Sequence, residues 1–261
     1  MSFYKPIRSR NLYESGKDFK LSRSKIDLYL ECPYCFYLDR KCGVGRPPSF
    51  PFNLNSAVDH LLKKEFDHYR EKQIPHPLME KYGIQAVPFQ HEDLEIWREN
   101  FKGLQVPHPA TNFIITGAID DLWVNLHDEL IVVDYKATSK DGPVSISAPW
   151  QIAYKRQMEI YQWLLKQLGY LVSPVGYFVY CNGIKSRESF NQRLEFTVEI
   201  IPYRGNDNWI EPLLTQIYLD LQQDQPPASA ETCDYCKYRE AFKIVLGEPQ
   251  YAGRHTDPHE P

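Results

Sequence analysis

The segment from residue 115 to 137, ITGAIDDLWVNLHDELIVVDYKA, constrains the fold more than any other. Two apolar, β-branched runs flank a short polar turn, Asn125 to Glu129, and so read as a β-hairpin. Asp120 closes the first run, and Asp134 and Lys136 close the second. Residues two apart on a strand leave the same face of a sheet, which puts Asp134 and Lys136 side by side. Asp120, on the partner strand, is placed to reach that face. Two carboxylates and an ammonium converging there would hold a divalent cation against a phosphodiester. Charges at strand ends are also commonly just solvated, so the rest of the chain has to decide between the two.

Composition sets the class. With 261 residues, 43% hydrophobic and 25% charged, this is an ordinary globular chain, of a size for one large domain or a core with an appended piece. No apolar run approaches the roughly 18 residues of a membrane span, and the opening MSFYKPIRSR has no signal-like apolar stretch, so a cytoplasmic location without membrane contact is expected. The net charge of −4 does not announce a nucleic-acid partner. Locally, though, Lys5, Arg8, Arg10, Lys17, Lys20, Arg23 and Lys25 face only Glu14 and Asp18, an arm able to lie on phosphates or simply a solvated leader.

Periodicity orders the rest. A helix capped by Ser22 or Ser24 is expected to run to about Lys41, and a second from about Leu54 to Arg70 carries Val58, Leu61, Leu62 and Phe66 on a helical period. Residues 43–52 read as a Gly/Pro loop, 71–90 as irregular, and 91–101 as a short helix. After the hairpin, 148–168 reads as an amphipathic helix, 175–181 and 193–202 as strands, and 207–223 as a last helix. The order predicts an α/β fold, a mixed sheet flanked by helices. The expected organisation is a basic flexible leader over 1–21, one domain over 22–242 and a flexible tail over 243–261.

In this setting the chain resembles a known family. Gly117-Ala118-Ile119-Asp120 followed by Asp134-Tyr135-Lys136 is similar to the G-x-x-D … D-x-K signature of the PD-(D/E)xK nuclease superfamily. His60 stands where the RecB-like branch places a histidine on a helix ahead of the hairpin, and Gln157 and Tyr161 match that branch's Q-x-x-x-Y motif. Cys32 and the run Cys233 to Arg239 resemble the flanking cysteines of its cluster-bearing members, among them the CRISPR-adaptation nucleases and the nuclease domain of AddB. The resemblance spans about Ser22 to Arg239. It implies a restriction-endonuclease-like fold and metal-dependent cleavage of DNA, with single-stranded DNA or DNA ends favoured, in repair, recombination or defence. It also implies the roles. His60, Asp120, Asp134 and the Tyr135 carbonyl would hold Mg²⁺ or Mn²⁺, with Asp120, Asp134 and Lys136 catalytic. Gln157 and Tyr161 would contact the substrate backbone. A helicase or another repair or defence protein would be the natural partner, since no helicase motif is present.

The cysteines depart from that pattern. Cluster-bearing members have one cysteine near the N-terminus and three near the C-terminus, but the expected last position, six after Cys236, is Phe242. Cys35 is present instead, giving two C-x-x-C pairs, Cys32/Cys35 and Cys233/Cys236. The resemblance implies a 4Fe–4S cluster, while two symmetric pairs suit tetrahedral Zn²⁺, and the sequence leaves both open. Either would staple the N-terminal helix to the C-terminal segment. Cys42 and Cys181 are expected to be unliganded, Cys181 as a core residue.

Three rival functions follow from the same residues. A non-catalytic nucleic-acid-binding or adaptor module would keep the fold, an RNA-directed nuclease would share the chemistry, and a structural zinc protein would bind metal at the thiols alone.

Overall fold

The computed structural model describes residues 7–48 and 53–247. In chain order these form β1 (Phe19–Ser22), α1 (Arg23–Glu31), α2 (Pro33–Arg40), α3 (Asn53–Lys72), α4 (Pro77–Lys81), β2 (Ala86–Pro88), α5 (Leu94–Arg98) and β3 (Leu104–His108). They continue as β4 (Phe113–Gly117), β5 (Asp121–Asn125), β6 (Leu130–Thr138), α6 (Ile152–Gln167), β7 (Val175–Gly183), β8 (Phe196–Arg204), α7 (Ile210–Gln222) and α8 (Asp234–Leu246). The described chain divides into two compact units, one of residues 7–48, 107–114 and 211–247, the other of 53–106 and 115–210.

The second unit carries the hairpin in a five-stranded sheet, order β2-β5-β6-β7-β8. β5 and β6 pair antiparallel, Asp121 opposite Val133, across a turn in which the Asn125 side chain accepts the N–H groups of His127 and Glu129. β6 and β7 pair in parallel, with Asp134 beside Phe178 and Lys136 beside Tyr180, while β8 returns antiparallel. Parallel neighbours need a crossover, and α6 supplies it. The sheet is therefore mixed and flanked by helices, the α/β architecture the element order predicts.

Alternation along β6 separates core from site. Ile131, Val133 and Tyr135 share one face, where they meet Leu62 and Phe66 of α3 together with Trp123, Val179 and Ile200. Phe66 stacks on Trp123 at 5.5 Å between centroids, and each such buried side chain contributes roughly 1.5–3 kcal/mol. Val132, Asp134 and Lys136 leave the other face, toward α6, which buries Met158, Tyr161, Leu164 and Leu165.

β1, β4 and β3 form a short three-stranded sheet in that order. Tyr13, Phe19 and Phe113 pack edge to face, so part of the leader expected over 1–21 lies in the first unit's core. The helix expected from Ser22 to Lys41 is two, broken at Cys32: Pro33 has no N–H to continue α1 but suits the first turn of α2. The expected 71–90 irregular stretch contains α4 and β2, and α8 begins between the cysteines of the second pair, where no helix is expected from the sequence. Residues 1–6, the end of the Gly/Pro loop (49–52) and the tail from 248 lie outside the described residues. No helix among the described residues is long and apolar enough to cross a membrane.

Candidate functional site

Asp134 is the centre of the site. It is fully buried on the α6-facing side of β6. Its neighbours are the ammonium of Lys136, with which it forms an ion pair, and the carboxylate of Asp120. Burial, countered by Lys136 and reinforced by Asp120, pushes Asp134 up to about 7.

Asp120 is not on the partner strand. β4 ends at Gly117 and pairs in the other sheet, so Asp120 stands in the connection one residue before β5. The β5–β6 ladder ends at Asp121 opposite Val133, and the Asp120 side chain accepts the next free N–H, that of Tyr135, at 3.0 Å. Its other oxygen lies 3.7 Å from Lys63 of α3, which also binds Asp59 at 2.8 Å. Burial and the nearby Asp120 raise Asp59, with Lys63 opposing.

Lys136 is oriented from α6. Its ammonium lies 4.6 Å from the ring centroid of Tyr154 and donates to Gln157 Oε1 at 3.5 Å. Gln157 Nε2 donates in turn to the Tyr161 hydroxyl at 3.1 Å. A Cβ on Gly117 would stand 2.7 Å from Tyr161 Cε1 and 3.0 Å from Leu164 Cδ1, which is why the first position of the G-x-x-D run lacks a side chain. The structure thus brings Asp120, Asp134, Lys136, Gln157 and Tyr161 into one connected group. Tyr135 contributes its backbone there, while its buried ring turns to the opposite face.

His60 is placed differently. It is exposed on α3 and shares with Asp59, Lys63, Asp67 and Arg98 the wall of a cavity of about 660 Å³. Lys63, three residues along the same helix, is the residue of that wall that reaches Asp120, at 3.7 Å.

Asp121, which sequence reasoning did not assign, anchors the site from behind. Fully buried, it accepts from the Tyr135 hydroxyl at 2.6 Å, from Leu122 N at 2.8 Å, from Arg98 at 2.9 Å and from Arg70. Arg98 also binds Asp67 at 2.9 Å and donates to the Asp120 carbonyl at 3.2 Å, so this network fixes the backbone that carries Asp120. Arg98 and Arg70 hold Asp67 below the usual carboxylate range against the upward push of burial. The overlooked residues were partly signalled: Lys63 is four residues after Asp59 and three after His60, and Tyr154 three before Gln157, each spacing that of one helical face.

The donor set fits a divalent cation. Two adjacent carboxylates, one of them fully buried, offer hard ligands of the kind Mg²⁺ and Mn²⁺ prefer.

A second cluster lies in the first unit. Cys32, Cys35, Cys233 and Cys236 are buried, with Sγ separations of 3.8 Å for Cys32–Cys236, 3.7 Å for Cys35–Cys233 and 3.6 Å for Cys35–Cys236. Burial pushes Cys35 up to about 11. Against the same effect, the Cys236 N–H and neighbouring thiols hold Cys233 down to about 7. Cys181 is buried in the sheet core of the other unit, and Cys42 is exposed.

The sequence pattern of the PD-(D/E)XK nuclease superfamily matches residues 54–241. Among solved structures, one described as "Crystal structure of SSO0001" is similar at 13% identity over 84% of this chain and 80% of that chain, with a TM-score of 0.36. No curated protein matches the chain.

Proposed function

The chain belongs to the PD-(D/E)XK nuclease superfamily, and from that premise we propose that it is a metal-dependent nuclease acting on DNA, with Asp120, Asp134 and Lys136 as its catalytic groups. The observation that carries this is the buried Asp134 carboxylate, with a second acid, Asp120, and a single ammonium, Lys136, set against it. One ammonium does not balance two neighbouring carboxylates in a buried place, which favours a further cation there.

Asp120 and Asp134, with the Tyr135 carbonyl, would hold Mg²⁺ or Mn²⁺. His60, in the wall of the cavity that Lys63 shares, is the further proposed donor. The cation supplies Lewis acidity that polarises the phosphate and acidifies water. The protein's own groups do the rest. Lys136, held by Asp134, Gln157 and Tyr154, neutralises charge that builds on a phosphate oxygen. Gln157 and Tyr161 fix the ammonium and approach the substrate backbone from α6. Asp121, Arg98 and Arg70 keep the Asp120 connection rigid, which is what a preorganised site requires.

The RecB-like placement is part of the same proposal, supported by the Lys136–Gln157–Tyr161 chain of hydrogen bonds. Single-stranded DNA or DNA ends are the proposed substrate, in repair, recombination or defence within the cytoplasm and beside a partner that unwinds duplex. Incubation with labelled single- and double-stranded DNA and with RNA, each with Mg²⁺ or Mn²⁺, tests this. Cleavage of single strands and frayed ends ahead of intact duplex and RNA is expected. Binding without cleavage would leave a non-catalytic module of the same fold.

A further inference from the structure

The two C-x-x-C pairs are built alike. Cys32 and Cys233 are the N-caps of α2 and α8, and Cys35 and Cys236 stand in the first turns of those helices. Helix starts present unpaired N–H groups and a partial positive charge, which suits thiolates. All four Sγ atoms lie within 4.8 Å of one another, three pairs at 3.6–3.8 Å.

That spacing discriminates between the two metals left open by the sequence. Four thiolates at about 2.3 Å from a single tetrahedral ion stand about 3.8 Å from each other, the edge of the tetrahedron. A 4Fe–4S cube binds each thiolate to a different iron, so its sulfurs must be spread further apart by the width of the cube. The four thiols here are too close for a cube and match one ion. We propose that they form a mononuclear tetrahedral tetrathiolate site for Zn²⁺, in place of the iron–sulfur cluster that the resemblance to cluster-bearing nucleases implies.

The surroundings agree. A Zn²⁺ tetrathiolate carries net negative charge, and Arg46 answers it: one guanidinium nitrogen lies 3.4 Å from Cys233 Sγ while another binds Glu31 at 2.6 Å. The Arg46 guanidinium is further held over the Tyr235 ring at 4.6 Å. A pocket of about 430 Å³ bordered by Cys35 and Cys236 gives a metal a route in. The ion joins the α1–α2 corner to α8 and adds its binding energy to folding of this unit. The missing third C-terminal cysteine, at Phe242, then needs no substitute, because Cys35 completes the set.

The test is the metal content and spectrum of the full chain, produced with both iron and zinc supplied and purified without oxygen. About one zinc per chain and no broad band at roughly 400 nm are expected, with a tetrahedral thiolate spectrum after exchange to Co²⁺. Brown protein with about four irons and labile sulfide per chain overturns the proposal, as do four titratable thiols with no bound metal. Cys35→Ser should lose the zinc and Cys42→Ser should keep it. Should Cys35→Ser fail to fold, the metal count and Co²⁺ spectrum of the unaltered chain still decide. Asp134→Asn is expected to retain its zinc, so the outcome here stands apart from whether the acid site cleaves DNA.

Discussion

The Asp120 carboxylate accepts the backbone N–H of Tyr135 at 3.0 Å, which ties the connection before β5 to β6 at the residue between Asp134 and Lys136. The site is thereby assembled by the protein's own hydrogen bonds. Asp134 is the buried acid at its centre, and most of the measurable consequences follow from it.

Asp134 limits stability when no cation is bound. Its carboxyl is raised to about 7 in the folded chain, against roughly 4 unfolded. Between those values the native state keeps a proton that the unfolded state has lost, so stability falls as pH rises through about 4 to 7 and is flat above. Asp134→Asn removes this titration, so the loss of stability between pH 5 and pH 8 should be smaller in the variant than in wild type without metal. Urea denaturation of both proteins at pH 5 and 8 checks it; an equal loss in the two would count against a desolvated carboxylate.

Cation binding should be linked to the same proton. Below about pH 7 a divalent ion has to displace it, so apparent affinity should rise about tenfold per pH unit and level off above. Calorimetry in buffers of different ionisation heat should register about one proton released per ion at pH 6. His60→Ala should weaken Mn²⁺ more than Mg²⁺ if the imidazole is a ligand, and neither if it is not.

Gly117 sets the distance between β4 and α6. The added methyl of Gly117→Ala meets Tyr161 at 2.7 Å and should force that ring aside, destabilising by about 1–3 kcal/mol and disturbing Gln157 and Lys136 behind it. Tyr161→Phe keeps the ring and loses the hydrogen bond to Gln157, and cleavage should fall by roughly 2- to 10-fold. Equal activities in the two variants would show that the ring's position is unimportant.

Asp121 should behave as a structural acid. Asp121→Ala strips Arg70, Arg98 and the Tyr135 hydroxyl of a buried partner and should cost about 3–5 kcal/mol in denaturant unfolding. Tyr135→Phe should cost less, because both guanidinium partners of Asp121 remain.

The sequence made the hairpin, α3, α6 and the pairing of Asp134 with Lys136 legible, because period-2 and period-3.6 patterns are local signals. The β1-β4-β3 sheet was missed: β1 has four residues and β3 contains Pro107, so neither shows a clean strand pattern. Asp120 reads from the sequence as part of the hairpin's first strand, but β4 ends at Gly117 and β5 begins at Asp121, so it stands in a connection between strands of two different sheets, a pairing no local pattern reveals. α8 was hidden behind its cysteines, although Gly247, left-handed at its C-cap, is an ordinary stop signal. The role of Asp121 depends on Arg70, 51 residues away, and Arg98, 23 away. No window of sequence brings those three together.

The most direct measurement compares wild type with Asp134→Asn on labelled single-stranded DNA, with Mn²⁺ and with chelator. Cleavage by wild type that requires the ion, and its loss by roughly a thousandfold or more in a folded Asp134→Asn protein, is the result predicted for a site that acts through this carboxylate. Cleavage by Asp134→Asn at the wild-type rate, or none by wild type with either Mg²⁺ or Mn²⁺, would contradict it.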